Sequence, residues 1–136
     1  LANYDIAPYD YDFNNQEDDF VGLINTLWAY DHIILATPMY WYAPSAQMKI
    51  FIDRLSDLMT INKSLGRALR GKKTAVLATG YDSNPPSCFE QMLSLTLIYL
   101  GTHYSGMLYC ACENNFEIEK HHSELAAFSS KLRKVA

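Results

Sequence analysis

Two short segments concentrate the residues able to do chemistry in this chain: Thr37-Pro-Met-Tyr-Trp-Tyr-Ala-Pro44 and Thr79-Gly-Tyr-Asp-Ser-Asn-Pro85. Each mixes aromatic rings with small residues and proline. Neither holds a nucleophile with a base, a pair of carboxylates, or a metal-ligand set. Aromatic walls and backbone donors without acid–base side chains suit a flat ligand that brings its own reactivity, so that the protein need only bind, orient and tune it.

The elements that must position these segments follow from hydropathy. Leu1–Ile6 reads as the tail of a strand, and Pro8 with the acidic Tyr9–Asn15 stretch reads as loop. Asn14 or Asn15 is placed to cap a helix, with Glu17, Asp18 and Asp19 at its positive end. Phe20, Leu23, Ile24, Leu27 and Trp28 recur at three-four spacing and carry that helix to about Tyr30. His32–Thr37 is a continuous apolar run, as expected of a parallel strand covered on both faces and stopped by Pro38. Pro44 suits the first turn of a helix whose apolar positions run from Met48 to Met59. A polar connection, Asn62–Gly71, has room for a short helical turn.

Lys73–Thr79 is a second buried strand, ending at Gly80. Ser87 and Glu90 match a capping box opening a helix to Leu100, and Gly101 is placed to end it. His103–Cys112 is a third strand, and Asn114 with Glu117 resembles a cap before a last helix to about Arg133. Strict alternation of strand and helix predicts a parallel sheet with helices on both faces. In such sheets ligands sit beyond the carboxyl ends of the strands. Both chemistry-bearing segments lie at strand ends of that kind, and flavin is a ligand of the self-reactive, flat type they suit.

At 136 residues the chain reads as one domain, residues 1–136. Hydrophobic residues at 49% with 19% charged exclude a disordered chain. A net charge of −4 gives no electrostatic reason for nucleic acid or an anionic membrane as partner. No apolar stretch approaches the ~18 residues of a membrane span. Cys88, Cys110 and Cys112 form no disulfide or metal pattern, which fits a reducing cytoplasm.

The run A-T-P-M-Y-W-Y-A-P-S-A-Q-M-K-I-F-I-D-R-L, beginning at Ala36, resembles the signature of the flavodoxin-like NAD(P)H-dependent FMN reductase family. That signature joins a strand-terminal [ST]-P-x-Y-[WFN] loop to a helix reading roughly A-Q-[LM]-K-x-[FW]-[IL]-D-R. The resemblance implies a flavodoxin-like three-layer sandwich and a reductase using FMN as cofactor and NAD(P)H as substrate. Hydride would pass through flavin to a second, small-molecule acceptor, as in flavin or quinone-type reductases. It also implies that Thr37, Pro38, Met39, Tyr40, Trp41 and Tyr42 line the flavin, with Thr79, Gly80 and Tyr81 approaching from the neighbouring strand. Gly80 would let backbone come close to a flat ring. Asp53 and Arg54 read as helix-surface or interface ion-pair residues. A homodimer or higher homo-oligomer is a further expectation of the resemblance.

The family pattern opens with a strand and a Ser/Gly-rich loop that wraps the FMN phosphate. No such motif occurs here, so the fold is expected to lack its first strand–helix unit, whose strand is central in the order 2-1-3-4-5. Losing three charge-assisted hydrogen bonds of ~1.5–3 kcal/mol each would weaken FMN binding more than about a thousandfold. The start at Leu1 rather than Met favours a fragment of a longer protein, an expectation that an intact mass equal to these residues would overturn. Two other readings stand beside the reductase. One is an FMN-binding electron carrier that does not meet nicotinamide; the other is a non-catalytic flavodoxin-like remnant.

Blander roles are expected for the remaining motifs. Cys110 and Cys112 share one face of a strand and read as core thiols, and Cys88 reads as structural. His121 and His122 read as a solvated helix face. The Asp10–Asp19 stretch lacks the spacing and central glycine of a calcium loop.

Overall fold

The computed structural model describes residues 1–114 and 116–134. Three parallel strands form the sheet: β1 (His32–Tyr40), β3 (Lys73–Gly80) and β4 (His103–Ala111). A two-residue β2 (Ala43–Pro44) folds back antiparallel on the end of β1, giving the order β2-β1-β3-β4. The helices are α1 (Phe20–Trp28), α2 (Ala46–Arg54), α3 (Lys63–Ala68), α4 (Ser87–Tyr99) and α5 (His122–Lys134). Of these five, α2 and α3 make the crossover from β1 to β3 and α4 that from β3 to β4, as parallel neighbours require, while α1 precedes β1 and α5 follows β4.

The core lies on one side of the sheet. Phe20 and Ile24 of α1, Phe51 of α2 and Leu93 of α4 pack over Leu35 and Val76. The other side is only partly covered. Along β1, Ile33, Leu35 and Thr37 are buried while His32, Ile34 and Ala36 are exposed, so the expectation of a strand covered on both faces fails. α5 packs on β4, and its Leu132 lines a small cavity with Ile34 and Ala75. Beyond β2, the outer rim of β1 opens on an apolar cavity of about 240 Å³ walled by Leu23, Leu27, Ile34, Met48 and Phe51.

β3 and α4 occupy the residues their hydropathy predicts, to within one position, and Gly101 ends α4 at φ +80°. Other boundaries differ for identifiable reasons. Leu1–Ile6 is no strand: Tyr4 N–H turns back to the Leu1 carbonyl, and the carboxylates of Asp19 and Asp18 accept from Asp5 and Ala7 N–H. Those same interactions hold the acidic stretch as a folded loop, so α1 begins at Phe20 rather than after Asn15. Asp18 also accepts from Phe20 N–H at 3.0 Å.

Pro38 does not stop β1, which continues to Tyr40. It still pairs with Thr79 on β3, and beside the sheet's rim a missing N–H is tolerated. Pro44 lies in β2, and Ser45 caps α2 instead by accepting from Met48 N–H. α2 gives way at Leu55 to a 3-10 turn, Leu55–Leu58. At α4 the capping box is not formed, because the Glu90 carboxylate accepts from the Tyr104 hydroxyl at 2.9 Å. Ahead of α5 a 3-10 turn, Ile118–His121, starts after Glu117, which pairs with Lys120 at 3.0 Å and makes no side-chain cap.

Candidate functional site

Parallel pairing brings the chemistry-bearing strand ends side by side. Pro38 lies opposite Thr79, Thr79 opposite Cys110 and Gly80 opposite Ala111. Residues 37–42 and 79–81 therefore share one end of the sheet, the carboxyl end.

The first segment is a two-residue hairpin. Met39 pairs with Pro44 and Tyr40 with Ala43, leaving Trp41 and Tyr42 as the turn. Both have positive φ, +50° and +64°. Consecutive positive φ values suit turns with Asn-Gly at these places, because a Cβ collides with backbone there. Here two bulky aromatics occupy them. Their side chains gain little packing within the chain, Trp41 being 94% and Tyr42 61% exposed. Tyr40 and Tyr81 are exposed beside them.

Thr37 sits underneath and is buried. Its hydroxyl accepts from Ser45 N–H and donates to the Pro38 carbonyl, both at 3.0 Å. It therefore ties the start of the hairpin to the start of α2. Ser45 was not expected at this site, although a Ser one residue before an apolar helix is a recognisable cap signal.

The space around Gly80 within the chain also requires a glycine. A Cβ there would run into the Tyr109 hydroxyl and the Met39 methyl. The Tyr109 hydroxyl donates to the Asp82 carbonyl at 2.9 Å and so fixes the start of the second loop. Burial, then the nearby Asp82 carboxylate, pushes the Tyr109 phenol's pKa up and keeps it a donor. Period-two spacing from Met107 marks Tyr109's face of β4, but nothing local in sequence shows its partner.

Arg54 is the largest departure from expectation. It is 1% exposed and holds the acidic loop to α2. Its guanidinium donates to Asp18 and Asp57 and to the carbonyls of Ala7 and Asn15, and it lies 4.8 Å from the centre of the Phe20 ring. Asp53, by contrast, makes the expected exposed pair with Lys49 at 2.6 Å. Cys110 is buried and Cys112 partly so, while Cys88 is exposed on α4. Nor is His121 a freely solvated residue: its Nε2 lies 3.0 Å from the Ala111 carbonyl and its ring stacks on Phe116.

A parallel α/β sheet whose carboxyl end gathers exposed rings, with no acid–base side chain among them, is the architecture of a flavodoxin-like protein. The family profile described as NADPH-dependent FMN reductase matches residues 1–117, and the chain belongs to that family. A curated relative, "Putative NAD(P)H-dependent FMN-containing oxidoreductase YwqN" of Bacillus subtilis (strain 168), is 26% identical over 132 residues. That match covers 90% of this chain and 70% of the relative.

Among solved structures, the Trp repressor binding protein from Bacillus subtilis superposes with a TM-score of 0.74 at 24% identity, over 87% of this chain and 78% of that one. General stress protein 14 from Treponema denticola, solved in complex with FMN, gives 0.66 at 16% identity, over 85% and 74%. These likenesses show the flavodoxin-like fold. FMN is the family's cofactor and NAD(P)H its reductant, so the protein is an NAD(P)H-dependent, FMN reductase-like oxidoreductase.

Proposed function

We propose that this chain seats FMN at the carboxyl end of its sheet and carries reducing equivalents from NAD(P)H to a small-molecule acceptor. The observation that supports the seat most directly is the Trp41–Tyr42 turn. Each non-glycine residue in the left-handed region costs about 1–2 kcal/mol, and such strain collects at ligand-binding positions. Two adjacent strained aromatics with exposed rings gain little from the chain's own packing, and a flat ligand stacked on them would supply the gain.

The residues present fit a flavin ring in this reading. Tyr40, Trp41, Tyr42 and Tyr81 offer ring faces, and Pro38, Met39, Thr79 and Gly80 supply backbone and apolar surface between them. Thr37 acts from below by holding the hairpin. Bound FMN would supply the hydride-accepting and electron-donating chemistry that no side chain here supplies. The chain's share is to hold the ring and keep water from one of its faces. We assign the acceptor to the flavin and quinone class and the protein to the cytoplasm. Three free thiols support the latter, and no helix among the described residues is long and apolar enough to cross a membrane.

Titrating the purified chain with FMN tests the seat. Flavin fluorescence should be quenched saturably, and the quenching should be lost in Trp41→Ala with Tyr42→Ala. The bound protein should then oxidise NADH or NADPH only when an acceptor is present to turn it over. Saturable flavin binding without oxidation of either nucleotide would leave an electron carrier in place of a reductase, and unquenched fluorescence would remove the seat.

A further inference from the structure

The amino end of the sheet, opposite the strand-end loops, gathers positive charge. Between Asp57 and Asp82 the chain has no carboxylate, yet it places Lys63, Arg67, Arg70, Lys72 and Lys73 there, although its net charge is −4. Lys72 is engaged, donating to the carbonyls of Trp28 and Tyr30. Lys63, Arg67 and Arg70 follow one another at three-four spacing, are exposed, and border one cavity of about 130 Å³ with Leu58, Met59 and Leu100. Arg70 just precedes β3 and Leu100 just precedes β4, so this cavity lies at the far end of the sheet from residues 37–42 and 79–81. The ion pairs among the described residues use Lys49, Arg54, Lys120 and His121, and none uses these three cations. Lys63 and Arg67 also stand four apart on α3, where like charges destabilise a helix. An anion between them would relieve that repulsion.

We propose that this cavity binds a phosphate monoester, its phosphate held by Lys63, Arg67 and Arg70 and its uncharged remainder laid over Met59. A phosphate monoester carries close to two negative charges at neutral pH, which three cations match better than they match a single carboxylate. Two guanidinium forks suit phosphate oxygens, which each can meet with two parallel N–H groups.

Two glycines shape the cavity. A Cβ at Gly66 would run into the Leu58 carbonyl, so α3 lies tight against the 3-10 turn that ends there. A Cβ at Gly101 would come within 2.9 Å of Arg70 Cγ, so the stem of Arg70 rests on the turn between α4 and β4. An arginine whose stem is already placed loses less freedom on capturing an anion. Pockets that enclose a whole drug-sized ligand start at ~300 Å³, so this one suits a compact head group. The buried side chains of Leu58 and Leu100 and the exposed Met59 give its wall an apolar part, which free phosphate would not use. This inference does not depend on flavin binding.

Titrating the isotope-labelled chain with phenyl phosphate, in a buffer free of phosphate, tests it by amide chemical shifts. Shifts should move saturably in residues 63–71 and 100–102. Arg67→Gln with Arg70→Gln should raise the dissociation constant about tenfold or more. Lys131→Gln with Arg133→Gln, an equal charge change at exposed sites on α5, should leave it unchanged. Should the first double variant fail to fold, Lys63→Gln should still weaken binding about threefold or more. Inorganic phosphate should move the same amides with lower affinity. Shifts confined to residues 37–42 and 79–81, no saturation, or binding indifferent to the cation substitutions would each overturn the site. Inorganic phosphate binding as tightly as phenyl phosphate would overturn the monoester assignment.

Discussion

Arg54 and Asp18 meet although 36 residues separate them, and their ion pair closes the acidic loop over α2. The guanidinium sits among Asp57, two backbone carbonyls and the Phe20 ring, with its charge and hydrogen-bond donors used. Removing one partner strands the other's buried charge. Arg54→Ala should therefore lose about 3–5 kcal/mol in urea unfolding. Arg54→Lys should recover only part of this, because an ammonium lacks the planar fork that reaches several acceptors at once.

The same pair gives the fold an acid limit. Burial pushes the Asp18 carboxyl's pKa up, but hydrogen bonds from Arg54, Phe20 N–H and Ala7 N–H, with the Arg54 charge, outweigh it and hold it below its ordinary value. A carboxyl with a lower pKa folded than unfolded adds stability above its unfolded value and loses it as pH falls through its folded one. Asp18's contribution should be whole above about pH 5 and fade below about pH 4. Thermal melts of Asp18→Asn should show a shallower loss across that interval than the wild type.

Relieving the strained turn should separate stability from binding. Glycine at Trp41 removes a left-handed penalty of about 1–2 kcal/mol and adds about 0.5–1 kcal/mol of unfolded-chain freedom. Trp41→Gly should thus be as stable as the wild type or slightly more so, while its FMN dissociation constant rises. Lower stability with unchanged flavin binding would show that the turn serves packing alone.

Gly80 and Tyr109 should behave as a coupled pair. Gly80→Ala forces a methyl into the Tyr109 hydroxyl, and such overpacking costs about 1–3 kcal/mol. Tyr109→Phe loses one hydrogen bond, about 0.5–1.5 kcal/mol. The double variant removes the clash along with the hydroxyl, so its loss should be clearly smaller than the sum of the two singles.

From α1 onward, apart from the short β2 and the helical turns, the order of elements is legible because it is written locally. Apolar runs and three-four spacings survive in any tertiary setting, which is why β3 and α4 fall where their hydropathy puts them. The strand-end segments were legible for a related reason: proline, glycine and aromatics concentrate where strands stop. What stayed hidden depends on distant partners. Nothing near Arg54 announces Asp18, and nothing near Gly80 announces Tyr109. The turn was hidden in a different way, since Trp-Tyr contradicts the residue preferences by which such hairpins are recognised. The half-covered face of β1 was hidden too, because an apolar run does not say how many helices will cover it.

The Thr37–Ser45 hydrogen bond bears on timing as well as shape. With both ends of the hairpin pinned, to β3 through the ladder and to α2 through Ser45, the two strained residues have no slack in which to relax. A ligand arriving there meets a surface already preorganised, so little conformational entropy is lost on capture. Loosening that clasp, as in Thr37→Val, would leave encounter rates largely as they are. It would shorten residence, because the turn could drift away from the bound ring and let it go.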